Sequence, residues 1–259
     1  MCIAYLSLGV DPQWPVFIAA NRDEFHARPS RFAAPWEQAP EVIAGLDLQA
    51  GGTWLGVSLQ GRFGLLTNYR EPGAQRSDAP SRGALVSNYL LSDQPARAYV
   101  DALHAQAQSW NGFNLIVGDL QSAWYLGNRT REPGARHLHG KTHVLSNHLL
   151  DTPWPKAERL RRALDAFPLD RLPERLDEVF DILKDGTKAE DAALPRTGLE
   201  TQMERLLSSP FIVSPEYGTR CSTVIAIRRD GQAWLSEISY DATGTATERH
   251  DWPFAITAG

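Results

Sequence analysis

The sequence predicts an α+β protein built as a four-layer αββα sandwich, in which two antiparallel sheets pack face to face and helices cover them. Three observations predict this class. Strand-like segments come in adjacent pairs, helix-like segments cluster in the middle of the chain, and several strands are apolar along their whole length. Adjacent pairs favour antiparallel hairpins over βαβ units, and a strand without polar alternation is expected where both sheet faces are covered. We expect a single domain over residues 1–259.

Four hairpins are predicted, each from two strand-like segments joined by a short turn. Their strands pair as 2–8 with 16–20, 53–59 with 62–69, 113–119 with 123–128, and 222–229 with 232–239. The last pair is joined by Asp230-Gly231, a dipeptide typical of tight β-turns. A further short strand is expected over residues 142–147.

Helices are predicted where apolar residues recur at helical spacing. The segments are 83–91, 96–107, a stretch that follows Thr152-Pro153, and Leu172 to Leu183. Threonine followed by proline is a common helix start. The long polar segment 70–82 has the composition of an exposed loop.

Composition excludes several classes of function. The chain has 259 residues, 42% of them hydrophobic, and a formal charge of -5 without a long basic cluster, so nucleic acid is not an expected partner. No apolar run reaches the roughly 20 residues that span a bilayer, and the first residues lack the features of a secretory leader. Two cysteines without a CxxC motif predict neither a disulfide framework nor a metal site, and favour a cytoplasmic location.

The first hairpin determines which residues lie beside the chain start. If Leu8 faces Val16 across the turn, Cys2 faces Arg22, and the polar run 21–24 (NRDE) lies next to the N-terminus. A slip of one residue would exchange the faces. Two interpretations remain open at this point: a solvated strand end with a surface ion pair, or a chemical site.

Cys2 is the centre of the chemical interpretation. If Met1 is removed, Cys2 carries a free α-amine, which titrates near ~7.7–8.0 and can accept the thiol proton. A nearby cation lowers the pKa of a thiol, and Arg22 is placed to act in this way. Asp23 would position the amine or Arg22.

Such a site also needs groups that stabilise a developing oxyanion. Asn68 and Asn147 each lie at the end of a predicted strand, and Arg220 precedes the last hairpin as a possible second cation. Asparagine at a strand end is also a common turn residue, so the spacing alone leaves both roles open.

Six ordered motifs carry a family resemblance: AANRDEFHARPS, GGTWLG, LTNY, NGFNLIVGD, LSNHLLDTPWPK and YGTR. Together they resemble the NRDE-motif family, also called the transport and Golgi organization 2 family. The resemblance implies the fold of the N-terminal-nucleophile hydrolases, which is a four-layer αββα sandwich.

The resemblance first implies a cysteine amide hydrolase, because the cysteine branch of that fold includes bile-salt hydrolase, penicillin V acylase and acid ceramidase. The positions that match its catalytic residues are Cys2, Arg22, Asp23, Asn68, Asn147 and Arg220. One departure is that arginine and aspartate are adjacent here. Neighbours on a strand point to opposite faces, so Glu24 would share the face of Arg22.

The resemblance also implies a binding and trafficking protein, because the family has been linked to haem trafficking and to lipid or acyl-CoA homeostasis. This is the leading functional hypothesis, with amide hydrolysis as the alternative. The expected ligand is haem or a similar acidic amphipathic molecule, with no resident cofactor required and with homo-oligomer formation possible. His26, which closely follows NRDE, is the candidate haem ligand. The expected ligand-binding residues are Asn21, Arg22, Glu24, His26, Trp54, Asn114 and Arg220.

Overall fold

Two antiparallel sheets form the centre of the protein. The structure is a computed structural model that describes residues 2–132 and 134–257. Across its six strands, sheet A runs in the order β10 (Lys141–Leu145), β1 (Cys2–Leu8), β2 (Val16–Phe25), β11 (Tyr217–Ile227), β12 (Gln232–Tyr240) and β13 (Ala246–Ala255). Across its seven strands, sheet B runs in the order β3 (Ser30–Trp36), β4 (Ala39–Asp47), β5 (Leu55–Ser58), β6 (Phe63–Asn68), β7 (Phe113–Gly118), β8 (Ala123–Gly127) and β9 (Arg136–Leu138).

Helices cover the outer face of each sheet. The helices are α1 (Gly83–Leu90), α2 (Ala96–His104), α3 (Pro155–Asp165), α4 (Leu176–Leu183) and α5 (Thr201–Leu206). Helices α1 and α2 pack on sheet B, and α3 and α4 pack on sheet A. The predicted α+β class and its αββα layers are therefore confirmed.

Strand β2 shows why the apolar strands lack alternation. Phe17 is fully buried among the helices on the outer face of sheet A, whereas Ile18 is fully buried between the two sheets. Both faces exclude water, and each buried side chain of this size contributes about 2 kcal/mol. Burial on both faces thus selects apolar residues at consecutive positions.

Strand β2 is longer than the sequence predicted. It continues through the polar run to Phe25, because β11 pairs alongside it and satisfies its backbone as far as Tyr217 opposite Phe25. Strand pairing therefore holds the NRDE run in place, although the predicted strand ended before it.

Several elements were not predicted. Strands β3, β4 and β13 contain Pro35, Pro40 and Pro253, and proline within a run argues against a strand. Helix α3 begins at Pro155 and α4 at Leu176, later than predicted in both cases.

Among the described residues, no helix combines the length and apolar character needed to cross a membrane.

Candidate functional site

Three neighbouring strands bring the two cysteines of the chain to either side of one arginine. Cys2 of β1 lies opposite Arg22 of β2, and Arg22 lies opposite Cys221 of β11. The predicted register of the first hairpin is therefore confirmed. Paired residues of antiparallel strands project to the same face, and here that face points between the sheets, where Ala4 and Ala20 pack.

A cavity of about 380 Å³ opens beside this row of residues. Its walls come from β1, β2, the turn after β4, the end of β6 and the start of α1. The residues of the wall that were expected from the sequence are Cys2, Arg22, Asp23, Glu24, Trp54 and Asn68. Arg28, Asp47 and Arg82 also line it, and the sequence reasoning did not select these three charged residues.

Arg22 is a buried cation with long polar contacts. Its side chain is 5% exposed, its Nη2 lies 3.5 Å from Asp47 Oδ2, and its Nη1 donates to Ser30 Oγ at 3.4 Å. The guanidinium stacks over Trp54, 4.1 Å from the ring centroid. Trp54 reaches this position because Gly45 has no side chain: a Cβ there would lie 2.4 Å from the indole.

The Cys2 thiol is not activated in this arrangement. Burial raises the pKa of the Cys2 thiol above its usual value, and the charge of Asp23 raises it further. Arg22 and a hydrogen bond from the Asp23 backbone act in the opposite direction, but they do not reverse the shift. The thiol is therefore protonated at neutral pH. Met1, whose removal the sequence left open, lies outside the described residues.

Asp23 and Glu24 take different positions at this strand end. Asp23 accepts a hydrogen bond from Thr219 Oγ1 at 2.7 Å, and burial raises the pKa of its carboxyl group. Glu24 shares the strand face of Arg22 and lies 3.9 Å from Arg28 Nε. Both acids line the cavity, so either can contact a ligand there.

Asn147 lies outside the cavity and is hydrogen bonded to a residue that lines it. It is fully buried, and its Nδ2 donates to the backbone carbonyl of Asn68 at 3.0 Å. The neighbouring Ser146 donates its hydroxyl to the carbonyl of Cys2 at 3.0 Å. Asn68 lines the cavity and Asn147 does not, so Asn147 is placed to position Asn68, and Ser146 to position Cys2.

Three residues that the resemblance suggested as ligand contacts do not line the cavity. The Nδ2 of Asn21 donates to the carbonyls of Leu183 and Pro210. The side chain of His26 contacts the carbonyl of Ser214. Asn114 is hydrogen bonded to Thr67, His148 and Tyr125. These side chains connect segments that are distant in the sequence, and none of the three lines the cavity beside Cys2.

Arg220 lies at a β-bulge. Thr219 pairs with Asp23 and Cys221 pairs with Arg22, which leaves Arg220 as the extra residue. A bulge can redirect a side chain next to a functional site. The Nη1 of Arg220 donates to backbone carbonyls of the turn that follows β2, and the residue lines a separate cavity together with Cys221.

Lys156 is a further residue at this site that the sequence reasoning did not select. It lies in α3 and is 2% exposed. Burial lowers the pKa of Lys156 to about 8, although the charge of Asp23 acts in the opposite direction. Among the described residues its Nζ has no hydrogen-bond partner. The signal that could have found it is the lysine that follows directly after the two tryptophan-flanking prolines in the motif LSNHLLDTPWPK.

Two packed antiparallel sheets with helices on their outer faces give this chain the αββα fold of the N-terminal-nucleophile hydrolases. The structure is similar to penicillin V acylase from Agrobacterium tumefaciens, with a TM-score of 0.56 and 15% identity over 92% of this chain and 83% of that chain. At this identity the likeness concerns the fold.

The family model for Transport and Golgi organisation 2 matches residues 1–242. The chain is 35% identical to the Transport and Golgi organization 2 homolog of Mus musculus, over 99% of both chains. It is 36% identical to the Homo sapiens homolog, over 92% of this chain and 93% of that one. The chain belongs to the Transport and Golgi organisation 2 family, as its motifs predicted.

Proposed function

We propose that the protein binds and carries an acidic amphipathic small molecule, such as haem or an acyl-CoA, with its acidic group in the cavity beside Cys2. The observation that carries this proposal is that Arg22 is buried while its polar contacts are long. A guanidinium has five N–H donors, yet this buried one has polar contacts of 3.4 Å and 3.5 Å to Ser30 and Asp47. Buried charges are normally well paired, so an anion from a ligand would complete the site.

The surroundings of Arg22 fit an anion. Arg82 lines the same cavity and donates its Nη1 to the carbonyl of Gly112 at 3.0 Å. Among the described residues it forms no ion pair. Burial lowers the pKa of the Arg82 guanidinium, because the cation has lost part of its water. Arginine pairs with carboxylate or phosphate through two parallel hydrogen bonds, which suits a propionate or a phosphate group.

The rest of the ligand would lie at the rim. The cavity is at the lower end of the size range of small-molecule sites, so it suits one end of a large ligand. Two exposed apolar side chains are next in sequence to residues that line the cavity. Phe25 is 57% exposed and follows Glu24, and Leu48 is 47% exposed and follows Asp47.

Titration with haemin, followed by the Soret band, and with palmitoyl-CoA, followed by calorimetry, tests the proposal. We expect saturable binding of at least one probe and a loss of about 10- to 100-fold in affinity for Arg22→Met, the range of a hydrogen bond to a charged group. Arg171→Met is the matched control, because Arg171 is 59% exposed and does not line the cavity. Equal affinity of the wild type and Arg22→Met would contradict the proposal.

A second candidate function is hydrolysis of an acyl amide. It is favoured by the presence of Cys2, Arg22 and Asn68 in one cavity of a protein similar in fold to a penicillin V acylase. Loss of Met1 would free the α-amine of Cys2, which could then take the thiol proton. The thiolate would attack the carbonyl carbon of the substrate amide. The amine part of the substrate would leave with the proton held by the α-amine of Cys2, which leaves a thioester on Cys2. Water would then hydrolyse this thioester.

Hydrolysis is tested with penicillin V and N-palmitoylglycine, on protein whose intact mass shows whether Met1 is present. We expect turnover in chains that begin at Cys2 and a loss of at least about 100-fold for Cys2→Ala, the order reported for removal of a catalytic group. Cys221→Ala is the matched control. Turnover that survives in Cys2→Ala, or that occurs equally with Met1 in place, would remove Cys2 from the reaction.

A further inference from the structure

A second cavity, of about 300 Å³, lies on the other side of Arg22 and Trp54. These two residues line both cavities, so the two cavities adjoin at the guanidinium stacked on the indole. We call the cavity beside Cys2 the first compartment and the cavity beside Cys221 the second compartment. The two cysteines stand two strands apart, which separates their Cα atoms by about 10 Å.

The second compartment contains a cation with unused hydrogen-bonding capacity. The Nη1 of Arg220 is engaged by the carbonyls of Phe25, His26 and Arg28. Its Nε is buried and makes no hydrogen bond to any described residue. Burial lowers the pKa of Arg220, and the charge of Arg22 lowers it further. Two arginines thus approach one another at this cavity and repel.

Two acids, Glu237 and Glu248, line this cavity, and Arg31 is a third arginine in its lining. The carboxylate of Glu248 lies 3.1 Å from His250 Nε2. Glu237 is 1% exposed, and its two carboxyl oxygens accept from the Ala33 backbone N–H at 2.7 Å and from the Thr223 hydroxyl at 2.6 Å. Burial raises the pKa of Glu237, which favours its neutral form. No ion pair between Glu237 and either arginine occurs in the described structure. The space between Arg22 and Arg220 therefore has a local excess of positive charge.

We propose that the second compartment extends the same ligand site, so that an elongated molecule with an acidic group at each end binds more tightly than one with a single acidic end. One acidic group would lie at Arg22 and Arg82 in the first compartment. The other would lie between Arg22 and Arg220 in the second, with an apolar spacer along Trp54. This inference rests on the proposed function, because it assumes that the first compartment takes an acidic group.

Sebacate and decanoate are the probes, because they share a ten-carbon chain and differ by one terminal carboxylate. We expect sebacate to bind the wild type about tenfold more tightly than decanoate, as one further charge-assisted contact would give. Succinate, which is too short to reach both compartments, is expected to show no such gain. Affinities are measured by calorimetry at one ionic strength.

Two variants locate the effect. Ser239→Phe fills the second compartment, since Ser239 lines it and pairs with Cys221. Arg220→Gln removes the cation but also alters the contacts of the turn after β2, so its melting temperature is measured alongside. We expect both variants to lose the preference for sebacate and to keep the affinity of the wild type for decanoate.

The cysteines report occupancy without any substitution. The chain has two, Cys2 in the first compartment and Cys221 in the second. Bound sebacate should slow alkylation of both by N-ethylmaleimide, measured by peptide mass, whereas decanoate should protect Cys2 alone. Equal affinities for sebacate and decanoate, or a preference that persists in Ser239→Phe, would overturn the inference and leave the proposed function standing. Failure of both probes together with haemin and palmitoyl-CoA would overturn the proposed function itself.

Discussion

Replacing Glu204 with alanine is expected to lower the free energy of unfolding by about 3–5 kcal/mol, the usual cost of removing one partner from a buried ion pair. Glu204 is 3% exposed and accepts from Arg70 Nη1 at 2.8 Å and from the Thr197 backbone N–H at 2.9 Å. The change removes the carboxylate that pairs with the buried guanidinium of Arg70. Urea unfolding followed by tryptophan fluorescence measures the loss.

The double variant Arg70→Met with Glu204→Met removes both charges of the pair, so it can be compared with the loss of one charge in Glu204→Ala. We expect it to recover most of the loss, because apolar side chains of similar volume need no partner in a buried site. Asp101→Ala is the matched control, since its ion pair with Arg97 is about half exposed, and exposed pairs contribute little. A loss in Glu204→Ala no greater than in Asp101→Ala would contradict the prediction.

This ion pair also bears on the candidate site. Arg70 follows the strand that ends at Asn68, and its backbone N–H donates to the carbonyl of Asn147 at 2.7 Å. Its guanidinium stacks over Trp154, 4.8 Å from the ring centroid. The loss of Glu204 should therefore loosen the cavity wall at Asn68, and ligand affinity should fall together with stability.

Gly52→Ala is expected to destabilise the protein by about 3 kcal/mol, from backbone strain combined with overpacking. Gly52 has φ +76°, a conformation that costs other residues energy, and a Cβ there would lie 2.4 Å from the carbonyl carbon of Gly83. The backbone of Gly83 at the start of α1 cannot move freely, because its carbonyl accepts from Thr53 at 3.3 Å. Thermal unfolding and probe affinity are the measurements.

Gly51→Ala is the matched control for this change. Gly51 has φ +71°, close to that of its neighbour, but a Cβ there would have no heavy atom within 4 Å. We expect Gly51→Ala to lower the free energy of unfolding by about 1–2 kcal/mol, the contribution of backbone strain without overpacking. Both Gly51 and Gly83 line the cavity, so both variants should weaken probe binding, and the comparison between them concerns the free energy of unfolding. Equal losses in the two variants would show that the close approach to Gly83 is unimportant.

The register of the first hairpin could be predicted because both strands and their turn are close in sequence. Residues 2–8 alternate as in a strand and residues 16–20 are continuously apolar. The short turn between the two segments limits how they pair. The position of Cys2 opposite Arg22 follows from that local geometry. The αββα layers were likewise predictable, because consecutive apolar residues such as Phe17 and Ile18 require two covered faces.

The functions of the asparagines could not be read in the same way. Asn21 and Asn68 both lie near strand ends in polar motifs, yet Asn21 binds backbone carbonyls at positions 183 and 210 whereas Asn68 lines the cavity. Partners so distant in sequence leave no local pattern. The same holds for Arg220, since the bulge that places it in the second compartment appears only when β11 pairs with β2.

The sequence by itself determined the family, the layer order and the pairing of Cys2 with Arg22, because periodicity and short turns are properties of neighbouring residues. Only the tertiary structure decided which polar side chains line the cavity beside Cys2, and that Arg22 and Trp54 line both compartments. Hydrogen bonds and cavities depend on atoms from distant segments, so they are set by packing of the two sheets and not by any one stretch of chain.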